Sequence, residues 1–212
     1  MKVGITLRVV NAQNYQEKRD ALSHDWPKFL EKLGIWPIFI PNNLSNIELF
    51  LDQMNIEGLI LSGGDDIGDN PERDYTEKKI INYGIKQNIP IFGVCRGMQV
   101  INKYFDGNTK KLNNSSHVNK SHFLSITNEF ISSFLNTTIQ VNSYHYNIIT
   151  SDVLGVGLEY FAISDDKTIE GFFHKKYPIM GVMWHPERDP NTNNEKILTK
   201  VFVDKSFWNN LH

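Results

Sequence analysis

Apolar positions in the first half of the chain fall into short runs that alternate with helical stripes. Residues 3–7 open as a β-type run, whereas residues 8–18 are polar, show no clear period and predict a loop. Asp25-Trp26-Pro27 predicts a helix start: aspartate caps free N–H groups, and proline lacks the N–H that a first turn leaves unpaired. Phe29, Leu30 and Leu33 continue that stripe, and Gly34 ends it. Trp36–Ile40 reads as a second strand closed by Pro41. Leu44, Ile47, Phe50, Leu51 and Met54 stand at helical spacing and predict a core-facing helix over 44–54. Residues 59–61 predict a third strand running into Ser62-Gly63-Gly64. Residues 74–86 predict a helix with Ile80, Ile81 and Ile85 inward, and residues 89–94 a fourth strand.

Strands alternating with helices imply βαβ units, so the expected fold is α/β, with an open, mostly parallel sheet flanked by helices. The second half is patterned differently. Residues 123–127, 139–142, 160–164, 168–173 and 179–184 are β-rich pieces joined by short turns, and residues 110–120 are a polar loop. Residues 194–208 predict a terminal helix with Ile197, Leu198, Val201 and Phe202 as its stripe. No repeat, low-complexity segment or linker divides the halves, which predicts one domain over residues 1–212.

Composition narrows the function. At 40% hydrophobic and 22% charged, the chain can bury a core and is not disordered. A net charge of −2, with both signs spread along the sequence, excludes the concentrated basic face of a nucleic-acid platform. The single cysteine cannot form an internal disulfide. The first residues turn polar too soon for a signal peptide, and no apolar run reaches the ~20 residues of a membrane span. A soluble cytoplasmic protein is expected, with no membrane or nucleic-acid partner. The sequence does not specify an oligomeric state.

That cysteine is the chemically most informative residue. Gly93-Val94-Cys95-Arg96-Gly97 follows an apolar run and precedes a helix-like stretch, the pattern of a nucleophile elbow. Flanking glycines permit tight backbone approach, and the positive end of the following helix favours thiolate. A thiol nucleophile needs a base and a proton donor. Of the 7 histidines, His185 has the best claim, because it ends the apolar run 179–184 and therefore sits on the same sheet edge as the elbow. Glu187 is close enough to orient its imidazole. His145, at the end of another apparent strand, is the second candidate base. Asp65, Asp66 and Asp69 lack EF-hand spacing, and there is no His-Glu-x-x-His or cysteine pair, so no metal is expected.

Ser62-Gly63-Gly64-Asp65, Gly93-Val94-Cys95-Arg96-Gly97-Met98-Gln99, Val141-Asn142-Ser143-Tyr144-His145 and Trp184-His185-Pro186-Glu187 occur in the order found in class I glutamine amidotransferase-like proteins. The chain most resembles the γ-glutamyl hydrolase-like branch, peptidase family C26, over essentially its whole length. The resemblance implies a flavodoxin-like sheet and hydrolysis of a γ-glutamyl amide through a glutamyl-thioester on Cys95. It implies His185 as acid/base, Glu187 as its partner, and backbone N–H groups of Gly64 and Arg96 as the oxyanion hole. Gly63, Gln99, Ser143, Tyr144 and His145 would surround a small-molecule γ-glutamyl substrate, without cofactor or metal.

The chain departs from better-known γ-glutamyl hydrolases in its short stretch between Asp66 and Asp74, in Asn147 where the pattern usually has Gln, and in the long polar segment 8–25. That segment, with Gly4-Ile5-Thr6-x-Arg8 and Asp25-Trp26, is similar to small amidotransferase-like hydrolases of bacterial surface-polysaccharide pathways, which implies a γ-glutamyl-nucleotide amidate. Tyr15, Trp26, Tyr75 and Tyr144 are candidates to line a leaving-group pocket. A glutaminase subunit feeding ammonia to a separate synthetase is the main alternative, and a non-enzymatic module on the same fold is another. A cysteine α/β-hydrolase would place its acid before the histidine, whereas Glu187 follows.

Overall fold

A computed structural model of the chain describes residues 1–112 and 117–211. The strands are β1 (Lys2–Thr6), β2 (Arg8–Asn11), β3 (Lys18–Ala21), β4 (Trp36–Ile40), β5 (Gly58–Leu61), β6 (Ile91–Val94), β7 (Lys110–Lys111), β8 (Val118–Ile126), β9 (Thr138–Tyr144), β10 (Asn147–Ile148), β11 (Leu158–Ser164), β12 (Ile169–His174) and β13 (Ile179–Val182). The helices are α1 (Asp25–Lys32), α2 (Ile47–Met54), α3 (Pro71–Gln87), α4 (Arg96–Tyr104), α5 (Glu129–Ser132), α6 (Thr192–Leu198) and α7 (Phe207–Leu211).

One nine-stranded sheet runs β4-β1-β5-β6-β13-β12-β11-β8-β9. The pairings from β4 to β13 are parallel and those from β13 to β9 antiparallel. The β-rich second half therefore extends the parallel sheet, and β13 from late in the chain lies between β6 and β12. β5, β6 and β13 are buried at every residue, which is why they read as continuous apolar runs. Period-two alternation sends Ile60, Phe92 and Val94 to one apolar cluster with Trp26, Phe29 and Phe207. Leu59, Leu61 and Ile91 face the other, with Leu51, Ile80, Met98 and Ile101. Trp26 is thus a core residue, not a pocket wall, while Tyr15 and Tyr75 are exposed.

Several boundaries differ from the sequence pattern for local reasons. Residues 8–18, expected as a loop, contribute to the β2–β3 hairpin, with Arg8 opposite Ala21 and Asn11 opposite Lys18. Its strands are largely exposed and polar, so no apolar alternation announced them. Helix α2 begins at Ile47 and not at 44, because the Asn46 side chain accepts the Leu49 N–H and caps it there. Helix α3 begins at Pro71, three residues before the expected start, with proline placed where its missing N–H is harmless. The helix expected over 194–208 is broken into α6, a π-turn over Thr199–Val203, and α7. Asp204 accepts the Ser206 N–H, a local bond that competes with helix continuation. Of the polar stretch 110–120, β7 and the start of β8 are ordered strands, and residues 113–116 lie outside the described residues. Among the described residues, no helix is long and apolar enough to cross a membrane.

Helix α4 packs tightly over β5. A Cβ on Gly97 would lie 2.0 Å from the Leu61 carbonyl oxygen, so only glycine lets the elbow descend onto the sheet.

Candidate active site

Sheet register delivers the candidate groups to one rim. β6 and β13 pair in parallel with Val94 opposite Val182, so Cys95 and the segment 183–187 leave their strands side by side. β5 pairs with β6 on the other side, Leu61 opposite Gly93, which brings Ser62-Gly63-Gly64 to the same edge. The backbone at Cys95 has φ 52 and ψ −106, a conformation that costs non-glycine residues of order 1–3 kcal/mol. The Cys95 N–H donates to the Val182 carbonyl at 2.8 Å, tying the strained residue to β13.

The His185 Nδ1 bonds Glu187 Oε1 at 2.7 Å. That commits Nδ1 as donor and leaves Nε2 available to the neighbouring Cys95. Burial alone would lower the His185 pKa; the neighbouring Cys95 and the Glu187 carboxylate outweigh it and push the imidazole up to about 9. The loop 62–64 closes directly against this ring. A Cβ on Gly63 would lie 2.7 Å from His185 Cε1, and Gly64 adopts φ +135.

Two clamps that sequence reasoning missed hold this arrangement. Asn142 on β9 grips the His185 backbone from both sides: its Nδ2 donates to the His185 carbonyl at 2.9 Å, and its Oδ1 accepts the His185 N–H at 2.8 Å. It lies within the Val-Asn-Ser-Tyr-His element, so its type was visible but its partner was not. Beneath the elbow lies a buried ionic lattice. Arg73 donates to Glu77 at 3.0 Å and to the carbonyls of Ser62 (2.8 Å) and Gly63 (3.1 Å). The Arg96 side chain reaches the same Glu77 and also Asp74. Thr6 Oγ1 donates to Glu77 and accepts the Ser62 N–H, each at 3.0 Å. Arg73 and Glu77 are fully buried. Their i,i+4 spacing on α3 is the one sequence signal for them.

A cavity of about 130 Å³ opens beside the sulfur, lined by Gly64, Cys95, Arg96, Gln99, Tyr144 and Asn147 among others. The N–H of Arg96 is the first in α4 and has no intrahelical acceptor. Gln99 Nε2 lies 3.4 Å from the Asn147 carbonyl. Tyr144 stands at the mouth with its ring 5.8 Å from that of His185 and with Arg188 stacked over it. Ser143 does not face this cavity. Alternation along β9 turns it inward with Ile139 and Val141, opposite in direction to Asn142 and Tyr144, and its hydroxyl donates to the His117 carbonyl at 2.7 Å. His145 borders the cavity, but its ring is buried: Nδ1 bonds the Asn147 carbonyl at 3.1 Å and Nε2 lies 3.2 Å from Glu170. A wider cleft of about 610 Å³, lined by Met1, Gly34, Glu57 and Pro178, lies at the opposite, amino-terminal end of the parallel strands.

A strained thiol beside a carboxylate-supported imidazole, at the start of a helix, has the parts required for acyl transfer. Comparison with known proteins points the same way. The peptidase C26 family model matches residues 3–187. The chain is 35% identical over 209 residues to γ-glutamyl-CDP-amidate hydrolase of Campylobacter jejuni, covering 95% of this chain and 98% of that one. A solved structure from Thermoplasma acidophilum, assigned to the GMP synthases, superposes with a TM-score of 0.74 at 25% identity, covering 96% of this chain and 92% of that one. A glutamine amidotransferase structure from Thermotoga maritima superposes with a TM-score of 0.63 at 16% identity, covering 100% of this chain and 86% of that one, and so shares the fold.

Proposed function

The chain belongs to the peptidase C26 family, and on that premise we propose that it hydrolyses a γ-glutamyl amide, with a γ-glutamyl-nucleotide amidate as substrate. The proposed unit is residues 1–212 acting as one glutamine amidotransferase-like domain. The observation that carries the reading is the juxtaposition of Cys95, at a strained strand-to-helix turn, with His185 and its 2.7 Å partner Glu187.

Cys95 Sγ attacks the γ-carbonyl carbon, and the new S–C bond leaves negative charge on the oxygen. The N–H groups of Gly64 and Arg96 receive that oxyanion; one such donor typically contributes about 2.7–4 kcal/mol to lowering the barrier. The C–N bond then breaks as His185 Nε2 gives its proton to the departing nitrogen. Water, deprotonated by the now neutral imidazole, attacks the thioester and releases glutamate and the thiol. Glu187 keeps the ring oriented and stabilises its charged form.

The imidazolium is the form that protonates the leaving nitrogen. With the His185 pKa at about 9, kcat/KM should fall roughly tenfold per pH unit once pH passes about 9. The same shift contributes folding stability that is complete below the ordinary histidine value of 6.5 and is lost as pH rises through about 9. A pH–rate profile and a series of thermal melts would record both limbs. A flat kcat/KM through pH 10 would contradict the role given to His185.

Two cationic side chains favour a phosphate-bearing leaving group. Lys111 lines the cavity at Cys95, and Lys103 lines an adjoining cavity of about 180 Å³ that shares Asp66, Gln99 and Asn147 with it. Glutamate release should be fastest from a γ-glutamyl-nucleotide amidate in a panel that includes glutamine and γ-glutamyl amines. Lys111→Ala should raise KM for the amidate several-fold and leave that for a γ-glutamyl amine unchanged. No glutamate from any member of the panel would overturn the proposal. Fastest turnover of glutamine, with a stable synthetase complex, would return the glutaminase reading.

A further inference from the structure

Behind the cavity wall, strands from the antiparallel half bring together His117, His122, His145 and Glu170, which come from three separate stretches of the chain. Glu170, on β12, is fully buried. Its Oε1 lies 3.2 Å from His145 Nε2 and 3.4 Å from His117 Nδ1, and its Oε2 lies 3.8 Å from His122 Nε2. One donor atom each from His117, His145 and Glu170 falls within 4.8 Å of the others.

The hydrogen-bond roles at this cluster leave a gap between its members. His117 Nε2 is 2.7 Å from Asp166 Oδ2, and His145 Nδ1 is 3.1 Å from the Asn147 carbonyl. Both partners are acceptors, so those nitrogens carry the protons. The remaining nitrogens, His117 Nδ1 and His145 Nε2, face the Glu170 carboxylate, where either a proton or a cation can sit between them. None of these nitrogens, nor His122 Nε2, nor either Glu170 oxygen, has a hydrogen bond of acceptable alignment, although all are buried. Buried polar atoms at this spacing without a hydrogen-bond partner call for an explanation, and an ion held between them is one. Nitrogen and oxygen ligands at 2.0–2.1 Å around a tetrahedral ion stand about 3.3 Å apart, close to the spacings here. Charge agrees as well. With neutral imidazoles, Glu170 and the adjacent Asp166 supply two negative charges, which a divalent cation balances.

We propose that His117, His145 and Glu170 form a structural site for a divalent transition metal of the zinc type, with His122 beside it and Asp166 and the Asn147 carbonyl as its outer supports. Two imidazoles and one carboxylate are a ligand set that zinc takes. Ring-nitrogen contacts to a carboxylate and to a backbone carbonyl are the usual means of orienting ligating histidines. The ion would join β8, the end of β9 and β12, the same strand ends that carry Asn142 and lead to Asn147 at the cavity. It takes no part in the acyl chemistry, and its absence would leave the Cys95 mechanism standing.

Zinc sulfate is the probe. Zinc could also bind the Cys95–His185 pair, so the titration uses the full chain carrying Cys95→Ser. About one zinc per chain by metal analysis after desalting, with a rise in melting temperature that a chelator reverses, is the expected result. Cobalt(II) in its place should give the visible absorption of a tetrahedral nitrogen–oxygen site. Glu170→Gln should abolish stoichiometric binding. Asp166→Asn, which leaves every ligand in place, should weaken it about 10–100-fold. No retained zinc and no thermal shift in the Cys95→Ser protein would overturn the site and assign the cluster to shared protons. Unchanged binding in both Glu170→Gln and Asp166→Asn would overturn it too.

Discussion

Cys95→Ala is expected to lower glutamate release by on the order of 10⁴-fold or more while the protein remains folded. On the proposed mechanism the sulfur is the atom that becomes acylated, and no other thiol exists in the chain to replace it. Alanine keeps the Cβ and so the same backbone demand at φ 52, and the removed atom, though buried at the margin of the first core cluster, also borders the cavity. The melting temperature should therefore move by only a few degrees. An independent readout is available in the histidine. Cys95 is one of the two neighbours that raise His185 to about 9, so its NMR titration should shift downward in the variant. Substantial turnover by Cys95→Ala would remove the covalent mechanism. Lost turnover with an unmoved His185 titration would separate the sulfur from the imidazole and remove the coupling.

Glu77→Gln is expected to be the most destabilising isosteric change in the molecule. Its carboxylate is fully buried and stands between Arg73 and Arg96. Burial pushes the Arg73 guanidinium down in pKa, opposed chiefly by Glu77, so that carboxylate is the main compensation for its buried charge. Breaking a buried pair from one side leaves an uncompensated charge and costs about 3–5 kcal/mol. A chain of this size loses about 2–4 °C of melting temperature per kcal/mol, which gives a fall of roughly 6–20 °C. Activity should fall with it even below the melting transition, because Arg73 holds the Ser62 and Gly63 carbonyls and Arg96 anchors the start of α4. A melting temperature within about 2 °C of the parent would show that the lattice is not a stability element.

The fold and the catalytic candidates were legible where the physics is local. Continuous apolar runs marked β5, β6 and β13, and flanking glycines marked the elbow at Cys95. His185 and Glu187 stand two positions apart, so their pairing could be read directly. The β2–β3 hairpin was illegible because its side chains face solvent and leave no apolar alternation. The break after α6 was hidden because the stripe of Ile197, Leu198, Val201 and Phe202 continues across it while Asp204 diverts the backbone.

Sequence alone determined which residues are the candidates for reactive chemistry and which runs form the sheet, because strand burial, turn glycines and helix starts depend on neighbours within a few positions. Tertiary structure decided how that chemistry is held. The Asn142 clamp spans 43 residues of chain, Arg96 meets Glu77 across 19, and Ser143 points away from the cavity because of the face its strand presents. The His117, His122, His145 and Glu170 cluster likewise has no spacing of its own. Contacts of this kind follow from strand order and register, which pairwise hydrogen bonding across the whole sheet sets and which no short window of sequence contains.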